Sequence, residues 1–176
     1  MTMRQIITGH DANGKSVFVS VAQVTPVEGK FLPGLQSFEL WSTAQTPEVP
    51  VLDPTKSPFN YFPELGGSVF RVISFPPQVD GKTEINPSEE AVAELMHKLP
   101  GLVEHLELDN PGMHTTNSVD YGIVLSGEIC LELDDGQEQR LKAGDCVIQN
   151  GTRHAWHNKS NTPAVMAFVL LGAKRT

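Results

Sequence analysis

The sequence predicts a mostly β protein built as a sandwich or barrel. Short segments rich in Val, Ile and Phe recur along the chain, Gly (15) and Pro (13) are spread between them, and few stretches carry helical periodicity. Turn signals fall roughly 8–12 residues apart, as an all-β fold requires. At 176 residues the chain is long enough for one domain with a real core. Its 39% hydrophobic and 19% charged residues give a globular profile.

The first strands lie around "GHDANGKS", residues 9–16, which fits the phosphate-loop pattern G-x-x-x-x-G-K-[ST]. A phosphate loop must run into a helix whose free N–H groups hold the phosphates. Here Lys15-Ser16 runs into "VFVSVAQV", a β-branched run close to period two. Asn13-Gly14 is a hairpin signal, so the segment reads as strand, type I′ turn, strand, with no nucleotide. "SFELWSTA" and "GSVFRVISF" are the next strands, and the proline-rich residues 46–67 between them read as a loop over the barrel, anchored by Phe59, Tyr61 and Phe62.

One helix is expected over 86–99, with Asn86 as N-cap, Pro87 at the first helical position, Glu89 closing a capping box, and Val92, Leu95, Met96 and Leu99 as the buried stripe. Pro100-Gly101 ends it, and His97 and His105 read as surface residues. Beyond it, "GIVLSGEICLEL" and "EQRLKA" flank a turn at Asp135-Gly136, and "DCVIQNG" and "TPAVMAFVLLGA" supply two more strands.

A net charge of -8 without a basic cluster argues against nucleic acid as a partner. No apolar run approaches the roughly 20 residues that span a bilayer, so no membrane partner is expected. Cys130 and Cys146 sit in strand contexts and read as free thiols of a cytoplasmic protein.

Two segments carry chemistry. The first, "GMHTTNSVDYGIVLSGE" (112–128), places His114, Thr116 and Asp120 at even spacing before Gly127. The second, "GDCVIQNGTRHAWHN" (144–158), places His154 and Trp156 on one strand face, with His157 on the other and toward solvent. Tyr121 falls one residue off the inward face. These segments resemble the paired motifs of the cupin superfamily, with Thr116 at the second histidine position, Asp120 at the glutamate position and Asn158 closing the second motif.

The resemblance implies a jelly-roll β-barrel (a double-stranded β-helix) with an N-terminal β extension and one helix. Residues 1–109 form the extension and 110–172 the cupin core, within a single domain overall. It also implies a cavity that binds or converts a small organic molecule. His114, Asp120 and His154 are the candidate catalytic residues and the ligands of a divalent metal (Fe, Mn, Ni or Zn), with Thr116 and Trp156 lining the pocket. Dioxygenase, decarboxylase or lyase, and isomerase chemistry would follow. Aspartate is shorter than glutamate by about 1.5 Å, so Asp120 reaches a metal only by inward movement of the backbone or through water. The alternatives are a metal-free His/Asp acid–base epimerase or dehydratase, and a non-catalytic binding module. A homodimer is expected, with the N-terminal strands in the contact.

Overall fold

The β-branched runs become strands. In the computed structural model, which describes residues 1–51, 53, 60–78, 85–107 and 109–176, ten strands occur. They are β1 (Met3–His10), β2 (Ser16–Val24), β3 (Gln36–Thr43), β4 (Ser68–Phe75), β5 (Ser118–Ser126), β6 (Glu128–Glu132), β7 (Glu138–Lys142), β8 (Cys146–Asn150), β9 (Ala155–His157) and β10 (Ala164–Gly172). They form a five-stranded sheet in the order β3-β4-β10-β5-β8, a three-stranded sheet β7-β6-β9 and the separate hairpin β1-β2, every pair antiparallel.

The two larger sheets enclose the main core, in which Val69, Ile73, Val124 and Phe168 of one meet Ile129, Leu131 and Leu141 of the other. This is the jelly-roll architecture expected from the sequence. The five-stranded sheet draws β3 and β4 from the first half of the chain and β5, β8 and β10 from the second.

The run "GIVLSGEICLEL" is two strands rather than one. It breaks at Gly127, where the chain leaves the five-stranded sheet for the three-stranded one. Gly127 has φ +74°, and a Cβ there would lie 2.6 Å from the Pro163 carbonyl oxygen. Only glycine meets both conditions. At the next turn Asp135 (φ 59°) and Gly136 (φ 66°) both occupy the left-handed region, as a tight hairpin needs.

The first hairpin turns differently from the expected type I′. Among the loop residues only Gly14 has positive φ. Asp11 organises the loop instead: its carbonyl accepts from Gly14 N, and its Oδ1 accepts from Asn13 N and Lys15 N. The loop then enters β2, a strand, so there is no helix N-terminus to hold a phosphate.

The helix α1 spans Glu89–Lys98 and its N-cap is Ser88, not Asn86. Asn86 Oδ1 accepts from Ser88 N, which leaves the hydroxyl of extended Ser88 to accept from Ala91 N. The buried stripe is accordingly Ala91, Leu95 and Leu99, while Met96 is half exposed. These residues pack with Phe31, Tyr61 and Leu102 in a second core beside the barrel mouth. Tyr61 is buried there and Phe62 packs against it; Phe59 lies outside the described residues. On the outer face of the five-stranded sheet, Phe38, Val72 and Val165 are covered by Met3 and Val24 of the hairpin. Among the described residues no helix is long and apolar enough to cross a membrane.

Gly127→Ala should lower stability by about 3 kcal/mol, because it adds left-handed strain to a backbone clash. Gly29→Ala, whose added Cβ meets nothing within 4 Å, serves as the control and should stay within about 0.5 kcal/mol. Urea unfolding reads both; an unshifted midpoint for Gly127→Ala would contradict the corner assignment.

Candidate functional site

The barrel cavity is built around one backbone contact. His114 N donates to His154 O and His154 N donates to His114 O, both at 3.0 Å. This isolated antiparallel bridge sets the two imidazoles side by side, ring centres 4.2 Å apart and planes inclined by 51°. Each ring is also tied to its own backbone, through His114 Nδ1 to Gly112 O at 3.0 Å and His154 Nδ1 to Thr152 O at 2.9 Å. A carbonyl only accepts, so both protons sit on Nδ1 and both Nε2 atoms keep a free lone pair. Burial, with the His114 ring second, holds His154 down at about 4, and burial lowers His114 as well. The two rings are therefore neutral near pH 7.

The rest of the cavity is largely apolar. Its volume is about 130 Å³, and Leu35, Phe62, Phe75, Trp156, Phe168 and Leu170 supply much of the wall. Trp156 stands edge-on to His154 (5.8 Å) and to Phe168 (5.6 Å). Asp120, on the inward face of β5, also lines the cavity; it is buried, and burial pushes its carboxyl pKa up. Tyr121 points outward, as alternation requires.

Two sequence-based placements are corrected. Thr116 is buried but is not on the cavity wall; its Oγ1 accepts from Ser118 Oγ and its carbonyl accepts from Arg175. Strand alternation cannot be carried from His114 to Thr116, because β5 begins only at Ser118. His157 does face away from the cavity, but it is buried rather than solvent-facing. Its Nε2 bonds Glu132 at 2.6 Å and its Nδ1 accepts from Gln78 at 2.9 Å.

Two wall residues escaped the sequence reading. Arg71 is 1% exposed on β4, bonded through Nη2 to Tyr61 O, ion-paired with Glu39 at 3.3 Å and stacked 3.5 Å over the Tyr61 ring. An arginine inside the apolar run "VFRVISF" was the available signal, but apolar residues on both sides hide which face it takes. Glu107 lines the mouth and is gripped by Arg153 at 2.7 and 2.6 Å, which holds its pKa below the usual carboxylate value. His105 is not a bare surface residue: its Nδ1 bonds Gly101 O at 2.8 Å and its ring packs on Phe62, which in turn stacks on His114 and lines the cavity.

As metal ligands, His114 and His154 fit: neutral, adjacent and fixed in the tautomer that exposes Nε2. Asp120 does not complete a set with them, since among the described residues no three His, Cys, Asp or Glu side chains come together as ligands. The donor set is two nitrogens, and further positions would fall to water or to a bound molecule.

A jelly roll with an apolar cavity between its two sheets and a few convergent polar groups is a small-molecule site. A family model for the cupin domain matches residues 107–170. Phomopsin biosynthesis cluster protein C' of Diaporthe leptostromiformis is 34% identical over 183 residues, covering 98% of this chain and 80% of the relative. The cupin-domain-containing oxidoreductase fogC of Aspergillus ruber is 30% identical over 172 residues, covering 94% and 70%. Among solved structures, the Schizosaccharomyces pombe Cnp3 cupin domain aligns at 11% identity with a TM-score of 0.49, over 96% of this chain and 87% of that one. The chain belongs to the cupin superfamily, as a cupin-type small-molecule enzyme or binder.

The depressed histidine predicts a pH dependence. An unfolded histidine takes its proton near 6.5 and folded His154 only near 4, so the unfolded state binds more protons between these values. The contribution of His154 is complete above pH 6.5 and is lost as pH falls. Between pH 7.5 and 4.5 this amounts to about 2–3 kcal/mol. His154→Gln should flatten the fall in urea-unfolding free energy across that window; an unchanged slope would contradict the neutral buried ring.

Proposed function

We propose that this protein takes a small, largely apolar organic molecule into the barrel cavity and presents one of the molecule's polar groups to the Nε2 atoms of His114 and His154, which also hold a divalent ion. The observation that carries this reading is the matched tethering of the two rings. Two Nδ1 protons are spent on backbone carbonyls, so two lone pairs are left facing one apolar space. A bound ion would supply Lewis acidity and, if it were iron or manganese, redox chemistry.

The chain's own residues do the rest. The apolar wall excludes water, Trp156 and Phe168 give flat surfaces for a ring, and the Arg153–Glu107 pair fixes one side of the mouth. The oxidoreductase name of the Aspergillus ruber relative supports a redox role. The absence of a third protein ligand among the described residues favours a second reading. In it the neutral imidazoles work without metal, an Nε2 accepting a proton from the bound molecule.

We further propose that the chain pairs with a second copy through its outer apolar face. Phe70, Tyr121 and Ile148 lie in one row across the five-stranded sheet, and all are more than 40% exposed. Ile6, Phe18 and Val21 form a comparable face on the neighbouring hairpin. A soluble monomer rarely leaves such a surface open. Light scattering should give a dimer mass that Tyr121→Glu/Ile148→Lys reduces to that of a monomer; a monomeric parent at micromolar concentration would contradict this.

Titration of metal-stripped protein with Fe(II), Mn(II), Ni(II) and Zn(II) separates the two chemical readings. One equivalent should bind, and His114→Ala or His154→Ala should each weaken it by about 10-fold or more. His157→Ala should keep the affinity while losing stability, since its ring bonds to Glu132 and Gln78 are removed. A parent that binds no ion would remove the metal from the account and leave the imidazoles as proton acceptors.

A further inference from the structure

The cavity has a second polar feature away from the histidine pair. Register places it: Val69 pairs with Leu170 and Leu170 with Asp120, while Arg71 pairs with Phe168 in the adjacent inward row. Arg71 and Asp120 thus share the inward face of one sheet, and both line the cavity. Both also carry unanswered polar atoms. Among the described residues Arg71 Nε and Asp120 Oδ1 have no hydrogen-bond partner, although the side chains are only 1% and 6% exposed. Gln149, opposite Asp120 on β8, has an unpartnered Nε2 as well, but it is not on the cavity wall. A buried donor or acceptor left unmade costs about 1–3 kcal/mol. A cavity presenting one of each is built to be completed by something that enters it.

The charges narrow what that is. Glu39 already pairs with Arg71 at 3.3 Å, so the guanidinium carries little unspent positive charge. Asp120 adds a carboxyl group to the same wall, within electrostatic reach of Arg71. A ligand carboxylate could accept from Arg71 Nε but would leave Asp120 Oδ1 unanswered and bring a second carboxylate close to it. An ammonium would answer Asp120 and leave Arg71 Nε bare. An uncharged group that both donates and accepts answers both, and a hydroxyl is the smallest such group.

We propose that the Arg71–Asp120 wall is a recognition subsite for an alcohol or phenol hydroxyl of the bound molecule and that it discriminates against carboxylates. This rests on the cavity being the ligand site, as proposed above, and names the substrate class that the site selects.

The test compares benzyl alcohol with benzoate, matched in ring and size, by NMR titration of the full chain at pH 7.5. Benzyl alcohol should bind at least about 10-fold more tightly than benzoate. Asp120→Asn removes the carboxylate while keeping the shape, and should bring the two within about 3-fold. Arg71→Met should weaken benzyl alcohol by about 10-fold, and because it can also unfold the sheet, Asp120→Asn carries the decision if it does. His114→Ala should leave the preference intact, since the hydroxyl is read elsewhere. Equal binding of the two probes, or preference for benzoate, would overturn the subsite while leaving the cavity as a ligand site. Binding of neither probe would overturn both.

Discussion

The site depends on the reciprocal backbone bridge between His114 and His154. These residues are 40 apart in sequence and lie in neither of the two larger sheets; the bridge is what brings them together. Because the contact is main chain to main chain, it fixes ring spacing without using either imidazole. The rings then spend Nδ1 on local carbonyls two residues back, at Gly112 and Thr152. Both constraints come from backbone, so the exposed Nε2 pair is preorganised before any ligand arrives.

The fold supplies what surrounds that pair. The five-stranded sheet contributes the Arg71 and Asp120 rows, the three-stranded sheet contributes Trp156 through β9, and helix α1 with Tyr61 builds a second core next to the mouth. Gly127 makes the arrangement possible by turning the chain from one sheet to the other in a single residue. The polar groups fall into two sets with different chemistry. The imidazoles are neutral acceptors, while Arg71 and Asp120 offer a donor and an acceptor that their neighbours do not use.

Much of this was legible in the sequence wherever the signal was local. The all-β class, the hairpins, the helix and the cupin motifs are carried by short runs, turn residues and fixed spacings. The errors arose where a local rule was extended past its range. Period-two alternation placed Thr116 beside His114, but no ladder joins the two, so the rule had nothing to act on. Alternation did put His157 on the far face; that face is covered by Glu132 and Gln78, a tertiary fact that no spacing encodes. Asn86 looked like the cap, but its side chain satisfies Ser88 instead. Arg71 was hidden because β4 is apolar on both faces, one packed in the barrel and the other under the hairpin.

The central claim is that His114 and His154 are a neutral pair with protons on Nδ1 and lone pairs on Nε2. Long-range ¹H–¹⁵N correlation spectra of the histidine rings, recorded on metal-stripped protein from pH 8 to 5, test it directly. The account predicts the Nδ1–H tautomer for both residues at pH 7, with His154 still neutral at pH 5. An Nε2–H tautomer for either ring, or an imidazolium at His154 by pH 6, would contradict it.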